Sequence, residues 1–368
     1  MLTEKQVKEL KEHLNNAQNP IFFFDNDADG LCAFLILQRY LRRGKGVPVK
    51  SFPELDASYF RKVDELKGDY IFILDKPVVS ENFWEKAEQR NIPTVWIDHH
   101  ELQGNSEKKV PEFVNYFNPL YDEKGNKKQK EGEPVTVVCY QVTQRKEDLW
   151  LAVIGAISDK FMPDYYHEFK EKYPDLSYAG KNKTSAFDIL YRSEIGKIAR
   201  MMSAGLKDKT SNVIAMLRFL INVKTPYEVL EESSKNYLMR RRFNQINEKY
   251  QRLLTKAIEV ENSFKKNKLL FFQYGGDLSL SAELSNELSY LFPDKYIVVI
   301  YVKGGVKANI SGRGKNIREL ILKAIENLED ASGGGHEDAV GAQIKVEDIE
   351  VFKKNLQDIM KKKMKNKK

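Results

Sequence analysis

The chain has 368 residues, enough at roughly 100 to 200 per domain for two or three domains and at least one sizeable hydrophobic core. Its 42% hydrophobic and 31% charged residues exclude wholesale disorder, and two cysteines, Cys32 and Cys139, exclude a disulfide framework and point to a reducing, cytoplasmic setting. The formal charge of +7 falls to +1 without the last eight residues, KKKMKNKK, which hold six lysines, so the basicity belongs to a tail that is either a polyanion-attracting arm or a solubilising helix end.

Thr3 and Gln6 have capping-box spacing and Val7, Leu10 and Leu14 share a helical face, so residues 4 to 16 are expected as an amphipathic helix. This N-terminus lacks the apolar core and cleavage site of a secretory signal and is expected to stay in the mature protein. PIFFF at 20–24 reads as a buried strand that ends in DNDADG, after which LCAFLILQRYLRR reads as a buried helix. The acidic cluster therefore sits in a strand-to-helix turn. The apolar windows at 21–24 and 31–37 fall short of the about 18 continuous residues that suggest a membrane span.

The pattern repeats at 69–75, where YIFIL runs into Asp75, and at 93–98, where PTVWI runs into Asp98, with a helix expected over 81–90 between them. Strands that alternate with helices imply a parallel sheet, and carboxylates at the strand ends then converge on the edge where α/β sheets bind ligands. Two further helices are expected at 134–144 and 147–158, the second delivering Asp159 at its end. Residues 160–185 read as an irregular insertion and 227–262 as a long charged linker helix, with Arg240 to Arg242 facing solvent. From 267 a second α/β pattern begins: a strand KLLFFQY, a helix SAELSNELSYLF, strands KYIVVIYV and GVKANISGRG, a helix over 316–328 and then ASGGGHEDAVGAQI.

Asp25, Asp27 and Asp29, joined by Asp75 and Asp159, make too many carboxylates for a buried cluster without cations, because like charges that close repel strongly. Oxygen donors with an added imidazole suit magnesium or manganese. A calcium loop would need Glu at position twelve from Asp25, which is Ile36 in an apolar helix. Of only five histidines, His99 and His100 stand in tandem directly after Asp98 at a strand end, the placement of a metal site; His13 and His167 lack such company and are expected as surface residues.

In these motifs, DNDADG at 25–30, Asp75 of FILDKP, DHH at 98–100, Asp159 of GAISDK, and ISGRG with GGGHEDAVGA near the C-terminus, the chain resembles the DHH phosphoesterase superfamily over nearly its whole length. It is most similar to the RecJ-like, archaeal-type branch with a DHH-associated C-terminal domain. The resemblance implies an N-terminal parallel-sheet DHH domain over 1–205, a helical linker over 206–264 and a smaller α/β DHH-associated domain over 265–368 that ends in the basic tail. It also implies two divalent cations, manganese or magnesium, with Asp27 and Asp75 holding one, Asp29, Asp75, His99 and Asp159 the other, and Asp75 bridging. Asp98 would orient the histidines, and His100 would contact the scissile phosphate or protonate the leaving oxygen. Many members carry a histidine ligand two or four residues ahead of the DxD. Those positions here are Asp25 and Phe23, so Asp25 is expected to serve instead. Ser311, Arg313, Gly333, Gly334, Gly335 and His336 are implied to bind substrate: glycines let backbone amides approach an anion, and an arginine fork matches phosphate.

The activity so implied is a single-strand-specific exonuclease that releases nucleotides from DNA or RNA ends through a cleft between the domains. The alternatives are a phosphodiesterase for nanoRNA, cyclic dinucleotides or adenosine bisphosphate, consistent with the lack of the oligonucleotide-binding barrel of bacterial RecJ proteins, and an inactive scaffold of a replication or repair complex. Partners are then single-stranded nucleic acid or short oligonucleotides, with a possible replication or repair protein and no membrane.

Overall fold

The computed structural model describes residues 1–51, 54–102, 110–122, 125–129, 132–180, 184–263 and 267–365. Lys367 and Lys368 of the tail lie outside them, and of His336 only the backbone is described. The chain forms two compact units, Met1–Phe243 and Asn244–Lys368.

The first unit is built on strands β1 (Pro20–Asp25), β2 (Lys45–Val49), β4 (Tyr70–Leu74), β6 (Thr94–Ile97) and β7 (Val114–Phe117), with β3 (Glu54–Leu55) and β5 (Val78–Val79) paired separately. The five form a wholly parallel sheet in the order β2-β1-β4-β6-β7. Alternation sorts its side chains between two cores. Phe22, Phe24, Phe72, Leu74, Val95 and Ile97 enter one with the helices Ala28–Leu41 and Leu149–Ser158, while Ile21, Phe23, Ile71, Ile73 and Trp96 enter the other with Phe83 and Trp84 of the helix Glu81–Gln89. Burying each such large side chain fully contributes roughly 2 kcal/mol, which is why uninterrupted apolar runs became interior strands. The capping box at Thr3 and Gln6 forms as its spacing predicts, opening the helix Glu4–Asn16.

Two stretches differ from expectation. Residues 160–185 contain the helix Tyr166–Lys172, and Tyr166, Phe169 and Tyr173 recur at helical spacing into the first core, so apolar periodicity outweighs the polar composition there. The segment from 206 onward is not a linker throughout. Val213, Met216, Leu217 and Leu220 of the helix Thr210–Asn222, with Val223, Val229 and Met239, pack into the first core, and the division between units falls inside the helix Tyr237–Ser263. Of the three arginines expected in solvent, only Arg241 is exposed, stacking over Tyr237. Arg240 donates to the Leu230 carbonyl and Arg242 to that of Lys207 at 2.7 Å. Both satisfy carbonyls at helix ends.

The second unit has strands β8 (Leu269–Gly275), β9 (Tyr296–Lys303), β10 (Lys307–Arg313), β11 (Ser332–His336) and β12 (Ala339–Lys345) in the order β11-β12-β10-β9-β8. Only β8 and β9 are parallel. The helices Ile317–Ile325 and Ile349–Lys365 supply its core through Leu320, Ile321, Phe352 and Leu356. Among the described residues, no helix is long and apolar enough to cross a membrane.

Candidate active site

The DNDADG segment turns from β1 into a helix in a single tight step. Asp25 closes β1, Asp27 caps the helix Ala28–Leu41 by accepting from Gly30 N at 2.9 Å, and Asp29 lies in the first helical turn. Gly30 is required by proximity, since a Cβ there would lie 2.7 Å from the Asp25 carbonyl oxygen. Asp29 is buried, and its two carboxylate oxygens accept from Val135 N at 2.8 Å and Thr136 N at 2.9 Å. These amides open the helix Val135–Thr143, so a helix N-terminus fixes the Asp29 carboxylate.

Asp75 follows β4 at φ 60°, a left-handed conformation that aspartate tolerates better than most residues. Its amide donates to Ile97 O at 3.0 Å, and that of Asp98 donates to Phe117 O at 3.0 Å, so neighbouring strand ends hold both residues. His99 Nε2 stands 3.4 Å from Asp75 Oδ1 and 3.3 Å from Asp159 Oδ2. Asp159 reaches it from the C-cap of the helix Leu149–Ser158. Asp98, 1% exposed, binds His100 Nδ1 at 2.9 Å and accepts from the His100 amide at 3.2 Å. It thus orients His100, whereas the Nδ1 of His99 lies 3.5 Å from the carbonyl oxygen of Gly132.

Burial foremost, and then neighbouring carboxylates, pushes Asp27 and Asp75 well above the ordinary carboxylate range and raises Asp29 as well. Burial works against a charge on His99, but Asp159, Asp75 and Asp29 outweigh it and raise its pKa well above the usual value. At His100, Asp98 likewise outweighs burial. Such a cluster is short of positive charge. Asp75 Oδ1 is moreover buried without a hydrogen bond of normal geometry. Among the described residues, Asp29, His99 and Asp159 form one set of donors within 4.8 Å of one another, and Asp75, His99 and His100 a second. Carboxylate oxygens with an imidazole nitrogen fit a hard or borderline divalent cation.

Not every expected residue joins these sets. Asp27 belongs to neither. Asp25, expected to stand in for a histidine ligand, belongs to neither set and pairs through Oδ1 with Lys76 Nζ at 2.8 Å, which gives the buried ammonium its counter-ion. Phe23 points into the second core, with its ring 5.6 Å from that of Phe83. His13 is half-buried, its Nδ1 2.6 Å from the Tyr70 hydroxyl, while His167 is exposed as expected. In the second unit, Ser311 and Arg313 lie on β10 and Gly333, Gly334, Gly335 and His336 on β11, an end strand of the sheet. Gly335 has φ 136°, and a Cβ there would lie 2.5 Å from Ala339 O, so only glycine fits. Arg313 Nε donates to Asn286 Oδ1 at 2.6 Å, and Ser311 Oγ to Ser281 Oγ at 2.9 Å. Lys76, Thr136, Asn286 and Ser281 carry no sequence signal of these roles, because each acts through a partner distant in the chain.

Residues 21–162 match the DHH family, N-terminal domain, and residues 266–362 match the DHHA1 domain. Among solved structures, RecJ in complex with Mn2+ from Thermus thermophilus is 16% identical with a TM-score of 0.66, over 96% of this chain and 54% of that one. The chain thus spans about half the length of that protein. An exonuclease RecJ bound to manganese is 16% identical at TM-score 0.63, over 96% and 93% of the two chains. CDC45 from Entamoeba histolytica is 10% identical at TM-score 0.52, over 96% and 98%. At these identities the likeness is one of fold. Among curated proteins, none matches the chain at a significant level.

Proposed function

The chain belongs to the DHH phosphoesterase family, with a DHHA1 domain in its second unit, and from that membership we propose that it is a divalent-cation-dependent phosphodiesterase acting as an exonuclease on single-stranded DNA or RNA ends. The observation that carries this reading is His99 Nε2, poised 3.3 Å from Asp159 and 3.4 Å from Asp75 Oδ1, a buried oxygen without a hydrogen bond of normal geometry. Asp29, Asp75, His99 and Asp159 would hold manganese or magnesium, as the manganese-bound RecJ structures suggest by analogy. Such cations supply Lewis acidity toward a phosphodiester.

The chain's own residues do the rest. Asp98 engages His100 Nδ1 at 2.9 Å, so a proton passed to substrate leaves from Nε2. Against the effect of burial, the Asp98 carboxylate raises the pKa of His100 and so favours the protonated ring. Asn286 steadies the Arg313 guanidinium, a fork suited to phosphate oxygens.

The test is hydrolysis of end-labelled single-stranded DNA and RNA, with a dinucleotide and a cyclic dinucleotide alongside, in manganese, magnesium or EDTA. Stepwise shortening of the long strands in either metal, abolished by EDTA, is expected. Cleavage confined to the dinucleotides would replace the exonuclease with a small-substrate phosphodiesterase. A folded protein that cuts nothing in either metal would overturn the reading.

A further inference from the structure

Lys76 follows directly after Asp75 in the chain and is wholly buried, with Nζ 2.8 Å from Asp25 Oδ1 and 3.0 Å from Ser51 O. Its backbone is held in turn, because Trp96 Nε1 donates to the Lys76 carbonyl at 2.9 Å. A buried ammonium persists where a carboxylate offsets it, and a carboxylate so engaged has little charge left for another cation. The neighbouring donors are unevenly shared. Among the described residues, His99 belongs to both three-donor sets, Asp25 and Asp27 belong to neither, and Asp27 Oδ1 is turned to Gly30 N.

We propose that Lys76 sets the metal stoichiometry of the centre: by engaging Asp25 it leaves one divalent-cation position strongly held, around His99, and makes a second, on the Asp25 and Asp27 side, weak and exchangeable. Affinity for hard cations follows the number of carboxylate charges at the site. The neutralised Asp25 removes one of them, and the ammonium adds repulsion. This inference rests on the metal-centre reading above.

The experiment is Mn2+ binding to the full chain by equilibrium dialysis, in the native protein and in Lys76→Met, which keeps most of the buried stem and removes the charge. The native protein is expected to bind one equivalent with a second at least about tenfold weaker. In Lys76→Met the second equivalent tightens towards the first. Two equivalents of equal affinity in the native protein would overturn the proposal, as would an unchanged second affinity in a folded Lys76→Met. Should that variant fail to fold, the native isotherm still decides, and Lys76→Arg, which keeps the charge, should retain the asymmetry. Failure to bind any Mn2+ would instead strike the metal-centre reading itself.

Discussion

Asp75 illustrates how a functional side chain is kept where folding alone would not favour it. It is 3% exposed, in a left-handed backbone conformation, beside other carboxylates. Its folded pKa lies above the unfolded value, so the stability it contributes is present below that unfolded value and lost as pH rises through the folded one. Without metal, the cost of burying its charge therefore weighs more heavily against the fold as pH rises above the unfolded value. Asp75→Asn tolerates the same backbone conformation and removes the charge. It should raise the melting temperature of the metal-free protein at pH 7, with a gain that shrinks as pH falls, while hydrolysis drops by at least about a hundredfold, the scale seen when a charge-stabilising group is removed from an active site. Calorimetry across pH, paired with the nuclease assay, checks both halves.

At the scale of elements, two long-range tethers make the site possible. The amides that open the helix Val135–Thr143 fix Asp29, whose partners are 106 and 107 residues away in the chain. Behind the site, Arg39 of the helix Ala28–Leu41 binds Asp148 at 2.7 Å and donates to the carbonyls of Leu220 and Ile221, so the helix Thr210–Asn222 is tied to the same body. Asp148 is fully buried, and removing its partner leaves a charge only partly met by Arg145 at 3.1 Å. Breaking a buried pair this way costs about 3 kcal/mol or more. Arg39→Ala should lose about that much in urea unfolding, whereas a loss under about 1 kcal/mol, typical of exposed pairs, would make the tether ornamental.

For the whole molecule, the division into Met1–Phe243 and Asn244–Lys368 places every candidate metal donor in the first unit and the Arg313 and glycine motifs in the second. A ligand that binds only the native state stabilises the unit that holds it, by about 2.7 kcal/mol at a hundred times its dissociation constant. Scanning calorimetry of the full chain should accordingly show the transition of the first unit moving up with Mn2+ and that of the second staying in place. Equal shifts of both transitions would mean that the units do not unfold independently.

The parallel sheet was legible in the sequence, because PIFFF, YIFIL and TVWI are apolar runs that end at Asp25, Asp75 and Asp98, and a buried strand needs no more than local hydrophobicity to declare itself. The candidates Asp29, Asp75, His99 and Asp159 were legible for the same reason, each lying at the end of a readable element. Strands β2 and β7 were not, since KGVPV and VNYF are short and partly exposed at the sheet's ends. Nor was the partner of Asp25: the chain offers 60 lysines and arginines, and nothing local distinguishes the one whose ammonium is buried against it. Local pattern determined which residues could carry charge to the sheet edge. Which charges meet was decided only by the tertiary structure, because desolvation and pairing depend on what packs across the fold.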